Sequence, residues 1–319
     1  MKVLVTGANG FVGMNLCEKL LINNIILGEH PDNPNYNVFA PSSVCCNLMD
    51  PYEIGDFFED IKPDVVIHLA AKAGGIGANQ AKPATFIHNN LIMGLNVIEA
   101  SHFYNVSKLI LIGSCCSYPK YCEVPFIEED MWSGYPEETN APYGIAKRAI
   151  METGIAYNKQ YGLNVVNLIP VNMFGPHDTF NTTTSHVIPA LIMKIQEAID
   201  KNLPAIDVWG SGSASREFLY VEDCVDAIIK AIEIDCGPEP INIGTGEEIR
   251  IDELVNLLCY HMGYKGTKVY DTSKPDGQPR RCLNVHLAQS LLGFKAQIGL
   301  EDGLLKTIEW YRNDRRNNI

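Results

Sequence analysis

Apolar and polar positions follow two different rhythms along the first half of the chain. Short, mainly apolar runs at 2–5, 65–69, 109–112 and 165–169 read as strands buried on both faces. Between them, residues 11–21, 52–60, 86–103 and 143–160 repeat their apolar positions at helical spacing, with Phe11, Val12, Leu16 and Leu20 on one face. A short strand is expected at 38–40, reached through the polar stretch 28–37. Alternating strands and helices predict an α/β fold, a doubly wound parallel sheet of Rossmann type with crossover helices on both faces.

After Pro170 the rhythm loosens. Helices are expected at 186–201, 221–232, 251–261 and 300–311, and extended segments at 206–209, 217–220, 241–243 and 268–270. This predicts a smaller C-terminal α/β lobe, with ligand held in the cleft between lobes. Residues 1–170 form the nucleotide-binding domain in this reading, and residues 171–319 are mainly the substrate lobe. Segments near 206–235 return to the first domain, and residues 313–319 are a frayed tail.

Composition narrows the partners. The 319 residues carry 38 acidic and 25 basic side chains, a net charge of −13, which disfavours nucleic acid as a partner. No apolar run approaches the ~18 residues of a membrane span, and the N-terminus lacks a signal-peptide pattern. The ten cysteines include two adjacent pairs, Cys45-Cys46 and Cys115-Cys116, without a C-x-x-C, so no metal site is expected. A reduced, cytoplasmic protein follows.

Candidate chemistry begins at the turn after the first strand. Gly7, Gly10 and Gly13 are spaced as a dinucleotide-binding turn requires, for tightness, for approach to a pyrophosphate and for helix packing. Asn9, Phe11 and Val12 lie within it, and the amides opening the helix face the phosphates. A second strand at 38–40 runs into Ser42 and Ser43, whose hydroxyls suit a 2′-phosphate and favour NADP. A second strand at 25–27 would instead place Glu29 for NAD.

Tyr143 and Lys147 stand one helical turn apart. A free phenol titrates near ~10, and the neighbouring ammonium favours its ionised form. Ser114, just past a strand end, is expected to point into the same cleft and hold a substrate carbonyl oxygen.

With the Gly-rich turn, residues 68–71 (HLAA) and Ser114, this Tyr-Lys pair resembles the extended short-chain dehydrogenase/reductases. Longer strings narrow the likeness: 73–79, 113–120, 172–180, 185–191, 208–223 and 273–281 resemble the GDP-L-fucose synthase family. Members epimerise GDP-4-keto-6-deoxy-D-mannose at carbons 3 and 5 and reduce carbon 4 with NADPH. The resemblance implies Cys116 as base and His186 as acid, with Ser114, Tyr143 and Lys147 completing the catalytic set. It implies cofactor contacts also from Leu69, Ala70, Ala71, Pro170, Asn172 and His186. Lys194, Trp209, Arg216 and Asp276 would hold the GDP-sugar, with Lys274 and Arg280 or Arg281 nearby, and a homodimer is expected. His177 competes with His186 as the acid, whereas His68 reads as a core histidine. Asn9 and Pro41 stand where relatives often carry a basic residue. A 4-epimerase, a 4,6-dehydratase and a non-catalytic dinucleotide sensor are the alternatives.

Overall fold

The computed structural model describes residues 1–26, 36–181 and 184–317. Its central sheet is built from β1 (Lys2–Thr6), β2 (Asn37–Phe39), β3 (Val65–His68), β4 (Lys108–Ile112), β5 (Val165–Pro170) and β9 (Pro240–Ile243). All six are parallel, in the order β2-β1-β3-β4-β5-β9. The order reverses between β1 and β3, and ligands of such sheets bind in the crevice outside the strand ends at that point.

Strand alternation decides which helices cover which face. Val3, Val5, Val65, Ile67, Ile110, Val166 and Leu168 pack with Leu16 and Leu20 of α1 (Phe11–Ile26) and with Val225, Ile228 and Ile232 of α7 (Val221–Glu233). Leu4, Val66, Leu109, Leu111 and Val165 point the other way. They meet α2 (Pro51–Ile61), α4 (Pro83–Phe103) and α5 (Ala141–Tyr161) through Ile54, Phe58, Val97, Ile98 and Ile150.

The rest of the chain forms two small sheets with their own core. β6 (Asn172–Phe174), β8 (Ser215–Tyr220) and β10 (Glu248–Arg250) make one, and β7 (Ala205–Trp209) pairs with β11 (Thr267–Asp271) in the other. Ile188, Leu191, Ile192 and Ile195 of α6 (Val187–Asp200) pack on Leu254 and Leu258 of α8 (Ile251–Met262) and on Leu304 and Ile308 of α10 (Leu300–Asn317).

Three expectations are corrected. Segment 206–209 pairs with β11 in the second lobe and does not return to the first domain; α7 does, because its Val225–Ile228–Ile232 stripe fits the sheet face, Leu219 of β8 joins the same core, and β9 then adds the sixth strand. Residues 313–317 continue helix α10 instead of fraying, with Arg315 bonded to Asp200 of α6. Ile25 and Ile26 belong to α1, so no strand starts there, while Glu29 and most of the stretch 28–37 lie outside the described residues. The pattern also missed α3 (Ile76–Ala81) and α9 (His286–Leu292), both below the length at which helical periodicity is readable.

No helix among the described residues is long and apolar enough to cross a membrane.

Candidate active site

The Gly-rich turn is held by contact as well as by conformation. Gly7 takes φ 74°, and a Cβ on it would lie 2.6 Å from the amide nitrogen of Ala70. The turn at the end of β1 thus presses against Leu69 and Ala70 at the end of β3. A Cβ on Gly13 would lie 2.3 Å from the carbonyl oxygen of Gly7, whereas Gly10 is exposed and faces outward. The amides of Phe11, Val12 and Gly13 open α1, where intrahelical acceptors are lacking. Asn9 is exposed beside them, and Ser42 and Ser43 follow β2 at the same end of the parallel strands. A bare backbone cradle at the order reversal fits a dinucleotide pyrophosphate.

The Gly13→Ala variant tests that fit. Overpacking against Gly7 is expected to cost about 1–3 kcal/mol and to weaken NADPH binding at least about tenfold by spreading the turn. Thermal unfolding and a nicotinamide fluorescence titration read the two effects, and an unchanged affinity counts against the cradle.

At the end of β4 the chain enters a 3-10 turn, Cys115–Ser117. Ser114 caps it, its Oγ accepting from the Cys116 amide at 3.2 Å. The turn lies against the first turn of α5 because residue 144 is glycine; a Cβ there would fall 2.3 Å from the carbonyl oxygen of Cys116. Ser117 Oγ bonds to the Gly144 carbonyl at 3.2 Å and fastens the two elements. Tyr143 is thereby placed over the turn, facing Ser114, with the ring of Phe86 edge-on at 6.4 Å. Lys147 is buried with its Nζ 5.9 Å from the Tyr143 ring centroid, donating to the carbonyl of Ile112 at 2.7 Å.

Burial lowers the Lys147 ammonium to about 8. Burial raises the Tyr143 phenol, the thiols Cys116 and Cys115 push it further, and Ser114 opposes them. Tyr143 therefore keeps its proton at neutral pH and stands ready to donate it.

Cys116 is half-buried in the same pocket, and its thiol is held well below the ordinary value. A hydrogen bond from Cys115 is the largest cause, and Arg281, Ser114 and His186 add to it against the cost of burial. His186 precedes α6 without capping it through its side chain. It touches solvent in a cleft crowded enough that burial lowers its pKa, while the charge of Cys116 pulls it back up. The segment before it is pinned by Gly75, whose amide donates to the Thr184 carbonyl at 3.2 Å and which leaves no room for a Cβ beside Ser185.

His177 lies elsewhere. It takes φ 65°, its Nε2 reaches Glu18 at 3.1 Å, and its ring meets Trp310. His68 is a core residue, hydrogen-bonded to Thr6 at 2.8 Å, with burial lowering it to about 3. Pro170 is buried at the end of β5, and Asn172 Nδ2 donates to the Glu217 carbonyl at 2.9 Å.

The second lobe supplies the other wall. Trp209, at the end of β7, is exposed, with Lys194 Nζ 5.5 Å and Lys274 Nζ 5.4 Å from its ring. Arg216 donates to the carbonyls of Ser215 and Asp276 at 2.7 and 2.8 Å, and burial, then the charge of Arg281, lowers it to about 10. Two guanidiniums close enough to act on each other's charge suit an anion between them. The Asp276 carboxylate is already committed, accepting from Ser211 N and Oγ at 2.7 and 2.8 Å, so it braces the loop beside Trp209. Arg280 pairs with Glu248 on the surface, while Arg281 turns inward to the thiols. Gly144, Gly75 and the inward Arg281 were not singled out for these places in the sequence reading. Gly144 lay in plain view inside the Tyr-Lys motif, but adjacent arginines look alike in a sequence.

The profile of the NAD dependent epimerase/dehydratase family matches residues 3–244. A GDP-L-fucose synthase of Sinorhizobium fredii strain NGR234 is 46% identical over 317 residues, covering 99% of this chain and 97% of that protein. The GDP-L-fucose synthase of Escherichia coli strain K12 is 42% identical over 274 residues, 83% of this chain and 85% of its own. A solved GDP-L-fucose synthetase from Naegleria fowleri bound to NADP superimposes with TM-score 0.85 at 27% identity, covering 99% of this chain and 95% of that one. With this likeness over nearly its whole length, the chain belongs to the NAD dependent epimerase/dehydratase family and stands within it among the GDP-L-fucose synthases.

Proposed function

We propose that this protein converts GDP-4-keto-6-deoxy-D-mannose to GDP-L-fucose, inverting carbons 3 and 5 and reducing carbon 4 with NADPH. The observation that carries this reading is a low-pKa thiol, Cys116, beside His186 in the pocket of the Ser114, Tyr143 and Lys147 set. A plain reductase or 4-epimerase has no use for a carbon base there.

Hydrogens on carbons 3 and 5 are acidic because the C4 carbonyl takes up the charge as an enolate. Cys116, as thiolate, removes one such proton, and His186 returns a proton to the opposite face of the same carbon. That leaves a thiol and a neutral imidazole, so both groups exchange protons with water before the second inversion. Ser114 and Tyr143 hold the enolate oxygen. NADPH, when bound, supplies the hydride for carbon 4. Tyr143 then gives its proton to the oxygen it already holds, and the Lys147 charge steadies the phenolate left behind.

Gly7, Gly10, Gly13 and the amides that follow suit the cofactor diphosphate, and Ser42 and Ser43 suit a 2′-phosphate. Leu69, Ala70, Ala71, Pro170 and Asn172 line the strand ends along which the cofactor would lie. Arg216 and Lys194 suit the sugar diphosphate, and Trp209, between two lysines, offers a face for the guanine. Exposed Leu95, Phe103 and Tyr161 on the paired helices α4 and α5 support a homodimer, and the family's biosynthetic chemistry supports a cytoplasmic location.

The test is to mix the protein with GDP-4-keto-6-deoxy-D-mannose and NADPH and follow loss of reduced nicotinamide, with a UDP-linked keto sugar as control. GDP-L-fucose as product is expected. If the GDP sugar leaves NADPH untouched, the reading fails and a 4-epimerase or 4,6-dehydratase replaces it.

A further inference from the structure

Arg281 is 6% exposed, and its guanidinium is turned into the protein. Nε and Nη2 each lie 3.3 Å from Gln278 Oε1. Nη1 lies 3.4 Å from Cys116 Sγ and 3.8 Å from Cys115 Sγ. Gln278 is itself fixed, its Nε2 donating to the carbonyls of Pro119 and Lys120 at 3.1 and 3.0 Å. Among the described residues no carboxylate comes within ion-pair distance of Arg281. A buried cation whose only side-chain partners are an amide and two thiols is costly unless one partner carries the opposite charge.

We propose that Arg281 is a positioning residue: a fixed counter-ion that holds one negative charge on the adjacent Cys115 and Cys116 pair and delivers it to Cys116. The Cys115 thiol, 3.9 Å from Asn172 Oδ1, is pushed up and keeps its proton while Cys116 is pushed down, so the charge rests on the sulfur open to the cleft. Gln278, tied to the Pro119–Lys120 backbone, fixes the guanidinium in the plane from which Nη1 reaches both sulfurs. The use of that charge in epimerisation rests on the function proposed above; the charge itself does not.

Other groups facing the pair are accounted for. Ser114, Tyr143 and His186 face Cys116, and Tyr118, Glu217 and the neutral Asn172 amide face Cys115. Tyr118 and Tyr143 are neutral at working pH. Glu217 opposes a thiolate, but its carboxylate is occupied by the amides of Thr245, Gly246 and Leu283. Arg216 is the other cation, and its Nη1 and Nη2 are given to backbone carbonyls. A cation at contact distance lowers a thiol, so reactivity is present above the depressed midpoint and is lost as pH falls through it.

The experiment is carboxamidomethylation of the native, substrate-free protein by iodoacetamide between pH 5 and 10, with Cys116 followed by peptide mass spectrometry. The wild-type midpoint is expected below pH 7. In Arg281→Gln it rises to that of an ordinary thiol near ~8.5 or above, which at pH 7 slows alkylation about thirtyfold. Arg281→Lys, which keeps the charge, restores most of the low midpoint. A wild-type midpoint at or above an ordinary thiol's overturns the proposal even if no variant folds. So does an Arg281→Gln midpoint within about half a unit of wild type, or a lysine variant no better than glutamine. A low, Arg281-dependent midpoint in a protein that leaves NADPH untouched when given the GDP-linked keto sugar would instead overturn the function and leave the counter-ion standing.

Discussion

Replacing Cys116 with serine is expected to slow deuterium exchange at carbons 3 and 5 of the keto sugar by about 10²- to 10⁴-fold, the usual weight of a positioned base. Serine keeps the size of the side chain and can still take the hydrogen bond from Arg281. What it lacks is an ionised form near neutral pH, since a hydroxyl is a far weaker acid than a thiol held low by Cys115 and Arg281. Ser114, Tyr143 and Lys147 stay in place, because the turn is fastened to α5 through Gly144 and Ser117 and not through the thiol. Reduction of carbon 4 should therefore continue on unepimerised sugar, and NADPH oxidation should fall much less than exchange. Proton nuclear magnetic resonance in deuterium oxide reads the first rate and absorbance the second. Exchange within a few fold of wild type would remove Cys116 from the chemistry.

Tyr143→Phe is expected to give the opposite split. The hydride step loses its proton donor, so NADPH oxidation drops by about 10²- to 10⁴-fold. Exchange at carbons 3 and 5 drops less, because Ser114 still holds the enolate oxygen. The same step carries a pH signature. Lys147 loses its charge as pH rises through about 8, so wild-type reduction should decline above that value while thiolate-dependent exchange does not share that limb. In Lys147→Met the limb should vanish along with most of the reductase rate. A decline in reduction that survives unchanged in the methionine variant would assign the limb to some other group.

Much of this architecture was legible from pattern alone. The mainly apolar runs at 2–5, 65–69, 109–112 and 165–169 became β1, β3, β4 and β5, since a strand covered on both faces carries few polar positions. Gly7, Gly10 and Gly13 announced the turn, because their roles are local and need only the strand before and the helix after. Tyr143 and Lys147 were placed together by helical spacing for the same reason. Legibility ended where a contact joins distant parts of the chain. The stripe of α7 could be read, but not which sheet it would cover. Arg280 and Arg281 are neighbours in a turn, yet one pairs with Glu248 at the surface and the other is buried against sulfurs 165 and 166 residues away. The resemblance implied a ligand contact for Asp276, and only the fold shows its carboxylate taken up by Ser211.

What the sequence determined by itself was what depends on near neighbours: the strands, the helices, the nucleotide turn and the identities of the reactive groups. Periodicity and steric preference act over a few residues, so they are written where they act. What only the tertiary structure decided was the state of those groups. The Cys116 thiol is lowered by Cys115 beside it and by a guanidinium brought from far along the chain, and an ammonium falls to about 8 only once the core closes around it. Burial and Coulomb interaction depend on distances in space, and those exist only after folding.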